Sequence, residues 1–368
     1  MELSALKIES DDNGVLMSWH ADNRALRLKF SGDNAIKLPA AADAAFTSCL
    51  MPAMLLDETL SVDSSFTLSR DLIKNLTKFQ QIFSGWFDDL QSVNLDITEQ
   101  SLHDSLFKPD GNAVFYSGGV DASYSFFELQ DDIDYLIFCL GLDIQLHEKE
   151  RCDKALESVR KFAEHYGKRL IVIETNFREA FPELSAQRCQ VVLLISYSLA
   201  LGLRCLFVPA SHDVLELEPF ITHPMTDPLL TNGVTEVVHH GMVSRVKKTI
   251  AIARSEQALA FLRVCNASDQ FNCGKCEKCL RTMATLAAIG GSSPALPALT
   301  DFKQLREAKI WTPGKYHMWH DIYLCAKQNN ALRLAEAVNK LCRRYEWKQL
   351  LKLLKVQSLK LLNDMIQR

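Results

Sequence analysis

The stretch AVFYSGGVDAS, Ala113–Ser123, decides how this chain is read. Four apolar or aromatic residues, Ala113 to Tyr116, run straight into Ser117-Gly118-Gly119, and a helix is expected from about Ala122. Glycine has no Cβ, so two in a row let the backbone turn tightly and approach an anion closely. Amides of the loop and of the helix start then point at that anion, and the helix dipole favours it. The hydroxyls of Ser117 and Ser123 add donors. Asp121 would repel a bare phosphate, so its carboxylate is assigned to holding Mg²⁺ or fixing the loop. Strand, SGGxD and helix in succession favour phosphate binding over an ordinary turn that happens to hold two glycines. The loop is neither the Walker sequence nor the dinucleotide fingerprint, so kinase-like and NAD-dependent functions lose support.

Outward from this loop, strand and helix alternate. Strands are expected at Tyr135–Leu140, Leu170–Glu174 and Cys205–Val208, and helices at Lys149–Tyr166 and Ala186–Leu201. That alternation predicts an α/β fold with a doubly wound parallel sheet. Ligands in such sheets sit beyond the carboxyl ends of the strands.

Residues 1–108 read as a separate N-terminal α+β domain. Short strands are expected at Val15–Trp19, Leu26–Phe30 and Phe66–Ser69, and a helix over Arg70–Leu90 with apolar residues every three or four positions. Residues 109–290 form the expected catalytic domain, and 291–368 a helical C-terminal region. In that last region Trp347, Leu350, Leu351, Leu354, Leu361, Leu362 and Met365 make one apolar stripe, with Lys348, Lys352 and Lys355 off it.

Composition sets the outer bounds. The chain has 368 residues, 48% hydrophobic and 23% charged, which suits a packed globular core. No apolar run reaches the length of a membrane span, and no export signal is visible, so a cytoplasmic location and no membrane partner are expected. Eleven cysteines in a reducing compartment point to metal binding rather than disulfides. A formal net charge of −4 gives no general pull toward nucleic acid, which is not expected as a partner. The charge is uneven, however, with nine Lys/Arg against three Asp/Glu from Ala331 to Arg368.

Four of the cysteines, Cys265, Cys273, Cys276 and Cys279, follow a C-x7-C-x2-C-x2-C spacing. Four thiolates so close suit a tetrahedral Zn²⁺ with no open position, a structural site, and Gly274 eases the turn between ligands. An iron–sulfur cluster is the alternative ligand-count match.

The SGGVDAS loop resembles the SGGxDS signature of the PP-loop (N-type) ATP pyrophosphatase superfamily. With the downstream cysteines and Arg281 after them, residues 112–290 are similar to its 7-cyano-7-deazaguanine synthase branch. The resemblance implies that Ser117, Gly118, Gly119, Val120, Asp121 and Ser123 hold the pyrophosphate of Mg-ATP. It also implies that a substrate oxygen is adenylated, that pyrophosphate and then AMP leave, and that an amide, nitrile or related nitrogen conjugate forms. The acceptor would be a deazapurine-like small molecule or a protein, and a homodimer stays open. One departure is plain: Ala122 stands where the family has Ser, which removes a hydroxyl donor. The alternatives are a tRNA-thiolating enzyme of the same superfamily and a non-catalytic nucleotide-binding subunit.

Further candidates lie downstream. Arg245 and Lys248 near a helix start would neutralise phosphate charge during transfer, and the superfamily uses a basic residue from this part of the chain. Ser211, His212 and Asp213 follow a strand, and either contact the ligand or form a turn. His223–Leu230, held by two prolines, either walls the pocket or is a rigid connector. His239 and His240 are adjacent on a strand, so they face opposite sides and do not share a metal. Cys139, Cys189 and Cys205 lie in apolar segments and are expected in the core.

Overall fold

A computed structural model of the chain describes every residue except 33–35, 105–106, 266–270 and 367–368; of residues 186–187 and 355–366 it describes the backbone alone. The strands are β1 (Glu2–Asp11), β2 (Gly14–Ala21), β3 (Arg24–Ser31), β4 (Leu60–Val62), β5 (Leu68–Ser69), β6 (Leu95–Asp96), β7 (Leu102–His103), β8 (Asn112–Phe115), β9 (Tyr135–Leu140), β10 (Arg169–Thr175), β11 (Cys205–Pro209) and β12 (Glu236–His240). The helices are α1 (Ala41–Leu56), α2 (Arg70–Trp86), α3 (Val120–Glu128), α4 (Lys149–His165), α5 (Phe177–Ala180), α6 (Ala186–Leu199), α7 (Arg245–Ile252), α8 (Glu256–Ala260), α9 (Glu277–Ala288), α10 (Pro313–Gln328) and α11 (Leu332–Ile366).

Contacts divide the chain into two compact units, residues 1–211 with 217–242, and residues 212–216 with 243–368. The first unit holds a ten-stranded, mostly parallel sheet in the order β12-β11-β8-β9-β10-β3-β2-β1-β4-β6. From β12 to β10 every pairing is parallel. In chain order these five strands read 3-2-1-4-5, the arrangement of doubly wound sheets. The five are rich in β-branched and apolar residues; Val114, Leu136, Val172, Leu206 and Val237 are all buried, as strands covered on both faces must be.

Apart from the two-stranded β5–β7 sheet, the strands of residues 1–108 join the large sheet. β3 pairs antiparallel with β10, from Ser31↔Val172 to Leu28↔Thr175. The β1-β2-β3 meander thereby extends the parallel block on one side. Leu26, Leu28 and Phe30 alternate inward with Arg27 and Lys29, so one strand face feeds the core. Trp19, Phe30, Phe46, Phe79, Phe177 and Tyr197, drawn from both segments, share one apolar core. Helix α1 packs against α6 and is buried nearly all round, Pro52 included.

The second unit is helical, with its own core around Trp319, Leu280, Val338 and Cys342. Helix α11 is 35 residues long. Its Trp347, Leu350, Leu351 and Leu354 are exposed rather than packed. The side chains of Lys355, Leu361, Leu362 and Met365 lie outside the described residues. No described helix is long and apolar enough to cross a membrane.

Candidate functional site

β8 is the point where the strand order reverses, with β9 on one side and β11 on the other. The loop at its carboxyl end is Tyr116–Gly119, and α3 begins at Val120. Doubly wound sheets bind ligands at this crevice because the neighbouring loops run off to opposite faces and part there. Gly118 has φ +77, a conformation that costs a residue with a Cβ, and Gly119 caps the helix in an extended conformation. Among the described residues, the backbone amides of Gly118, Gly119 and Val120 donate no hydrogen bond. Three consecutive donors at a helix start make a positive concavity suited to an anion.

The side chains divide around this turn. Ser117 is exposed and Asp121 half-buried. Ser123 is fully buried, and its hydroxyl acts on the phenol of Tyr116 rather than facing solvent. Neither oxygen completes a hydrogen bond of normal geometry among the described residues. Ser123 thus does not replace, on the open side of the loop, the hydroxyl missing at Ala122.

Tyr124 and Ser125 on α3 carry no signal in the sequence, and both lie beside His240. Nδ1 of His240, at the end of β12, lies 3.0 Å from Oγ of Ser125 on α3, and its ring stacks near Tyr124. Gly241 follows with φ +84, and a Cβ there would come within 3.1 Å of the Tyr124 ring. His239 points the other way, to Oδ2 of Asp227 at 2.7 Å. The same oxygen accepts from Thr222 at 2.7 Å, while Oδ1 accepts from the His223 amide at 3.1 Å. Residues 222–227 are therefore a braced turn. The alternation of a strand set His239 and His240 apart, and the two prolines of His223–Leu230 marked the rigid turn; the pairing of Asp227 with His239 carries no spacing signal.

Arg245 and Lys248 stand in the second unit on α7, whose first turn is capped by Ser244. Lys248 is 1% exposed, so it does not belong to a solvated basic face. Asp213 accepts from the amides of Leu215 and Glu216 at 2.9 and 3.0 Å, which makes residues 213–216 a side-chain-capped turn. Glu216, unmarked in the sequence, is pushed up to about 7 by burial and by Asp213 and Asp321, against the pull of Arg281 and Arg245.

The four-cysteine cluster is also in the second unit. Its four sulfurs lie within 4.8 Å of one another. Cys273 and Cys279 sulfurs are 3.9 Å apart, and those of Cys276 and Cys265 are 3.8 Å apart. Four thiolates bonded to one Zn²⁺ in a tetrahedron have edges of about 3.8 Å, given Zn–S bonds of about 2.3 Å. A four-iron cluster puts each thiolate on its own iron and spreads the sulfurs further. The geometry fits a single ion such as zinc.

Local features hold the knuckle. Gly274 has φ +68, and a Cβ there would meet Cγ of Pro297 at 2.4 Å. The amides of Lys275 and Cys276 point at the Cys273 sulfur, at 3.5 and 3.3 Å. Asn272 accepts from the amides of Val264 and Cys265 and donates to the carbonyls of Leu262 and Ala295. Hydrogen bonding to Cys279 draws the Cys276 thiol down and pushes Cys279 up, so the pair shares a proton unequally. The seven cysteines outside the cluster are all pushed up by burial, Cys205 and Cys49 to about 11 and Cys189 to about 12. Raised thiols are inert as nucleophiles.

No family model, curated protein or solved structure matches this chain.

Proposed function

We propose that the chain is an ATP-using enzyme of the PP-loop type, which adenylates a substrate oxygen and releases pyrophosphate. The observation that carries this reading is the loop after β8: the amides of Gly118, Gly119 and Val120, which have no partner among the described residues, at the reversal point of a 3-2-1-4-5 sheet. Adenylation builds negative charge on the departing pyrophosphate. Fixed amide dipoles stabilise that charge without reorganising at the moment of reaction. Asp121, in the first turn of α3, would hold Mg²⁺ against the phosphates, and Mg²⁺ would supply the counter-charge. Zinc at Cys265, Cys273, Cys276 and Cys279 would be structural, since four thiolates leave it no open position.

The elevated thiols outside the cluster weigh against a sulfur-transferring enzyme, which needs a reactive cysteine. A 7-cyano-7-deazaguanine synthase-like ligase, making an amide or nitrile through the adenylate, remains the favoured subclass. One observation favours a second reading, a nucleotide-binding subunit without turnover. Ala122 lacks a hydroxyl and Ser123 is buried, so the loop has fewer donors than catalysis in the superfamily uses.

Pyrophosphate release from ATP, screened against deazaguanine carboxylates, tRNA and candidate proteins, tests both. The expected result is release that Asp121→Ala abolishes while circular dichroism and zinc content stay unchanged. Normal turnover by that variant removes the assignment. ATP binding without any release supports the second reading.

A further inference from the structure

Two adjoining cavities in the second unit, about 500 Å³ and about 200 Å³, share Arg306, Leu341 and Arg344. They form one groove. One wall is the 3-10 helix Phe302–Glu307 with residues 308–311; the other is α11. Arg344 ties the walls together, donating to the carbonyls of Arg306 at 3.1 Å and Ala308 at 2.7 Å. The groove is thus braced open by side chain–backbone bonds within the unit.

Its lining is strongly cationic. Lys303, Arg306, Lys309, Arg333 and Lys348 are exposed and, among the described residues, make no ion pair. Three carboxylates also line it: Glu336 pairs with Lys340 at 2.6 Å, Asp301 caps the 3-10 helix at the Lys303 amide, and Glu307 is exposed at the second cavity, so the seven lining Lys and Arg side chains outnumber them. Beside this row Trp311 is 66% exposed, with Lys309 5.8 Å from its ring centre. Tyr345 lines the same end and is backed by a stacked Tyr316. From Arg333 to Lys348, α11 rises about 22 Å, long enough for several nucleotides.

We propose that this groove binds single-stranded nucleic acid, with the cations along the phosphates and Trp311 as a stacking platform for a base. A row of unpaired cations beside an accessible aromatic face is how proteins hold single strands without sequence preference. An acidic peptide would satisfy the charges but leave the indole unused. In a duplex the bases are stacked on one another and cannot reach it. The net charge of the whole chain conceals this patch, because the excess of acidic residues lies elsewhere. The proposal stands apart from the ATP reading.

The test is fluorescence anisotropy of the full-length protein with labelled oligo-uridine, oligo-deoxythymidine, a duplex of equal length and a glutamate-rich peptide, over a salt series. Single strands should bind, with log affinity against log salt falling at a slope of about −3.5 for five phosphate contacts. Trp311→Ala should weaken binding by about five- to 150-fold, Trp311→Phe much less. Arg306→Glu with Lys309→Glu should abolish it, with unchanged circular dichroism and zinc content reporting an intact fold. Absent binding at low salt overturns the proposal. So does binding that survives both sets of variants, or equal affinity for duplex or peptide.

Discussion

Oδ2 of Asp227 lies 2.7 Å from Nδ1 of His239, and both side chains are 3% exposed. Thr222 donates to the same oxygen. Removing the carboxylate leaves three donors, the Thr222 hydroxyl, the His239 ring and the His223 amide, without their acceptor and frees the 222–227 turn. Asp227→Ala should therefore cost about 1–3 kcal/mol of stability, read as a lower urea midpoint. A midpoint equal to that of the parent would mean the network contributes nothing.

Gly274 faces Pro297 across a gap that a methyl group cannot enter, with φ already left-handed. Gly274→Ala must shift the Cys273–Cys276 turn and misplace two sulfurs. Zinc content by atomic absorption should fall below one per chain. Cys276→Ser should do the same and lower the Tm, because a closed site adds its binding energy to folding. A chelator should reproduce that loss in the parent and have little effect on the serine variant.

Asp43 is 1% exposed, and burial pushes it up from 3.8 to about 6, despite hydrogen bonds from the Ser69 amide and Asn232. The folded state holds the proton more tightly than the unfolded chain does. The contribution of this group to stability is therefore full below about pH 4 and is lost as pH rises through about 6. Its span is up to ~3 kcal/mol, for a shift of about two units. The difference in urea midpoint between Asp43→Asn and the parent should swing in the variant's favour between pH 4.5 and 7.5. A pH-independent difference would refute the assignment.

At Gly118 the cost of a side chain is conformational. With φ +77, Gly118→Ala should strain the loop by about 1–2 kcal/mol and turn its amides. ATP affinity, by calorimetry, should drop by at least tenfold while the Tm moves by only a few degrees. Unchanged affinity would show that the loop amides do not touch the nucleotide.

Much of this site was legible locally. The glycines at 118 and 119, the cysteine spacing and the alternation that sends His239 and His240 to opposite partners all follow from short-range geometry. α2 and α4 announced themselves because each has one buried face, so apolar residues recur at the helical period. α1 gave no such signal: it is buried on nearly every side, so its sequence has no period to read, and Pro52 argues against a helix. β1 was equally silent, with a mostly exposed surface in place of an apolar face.

The sequence by itself determined the strand–glycine–helix turn, the thiolate set and the α/β alternation, since each depends on neighbours a few residues apart. Only the tertiary structure decided that β3 joins β10, that Ser123 faces inward, that Glu216 gathers carboxylates around it and that a basic groove opens beside Trp311. Those outcomes depend on residues far apart in the chain being packed together, and burial and long-range pairing leave no imprint on local spacing.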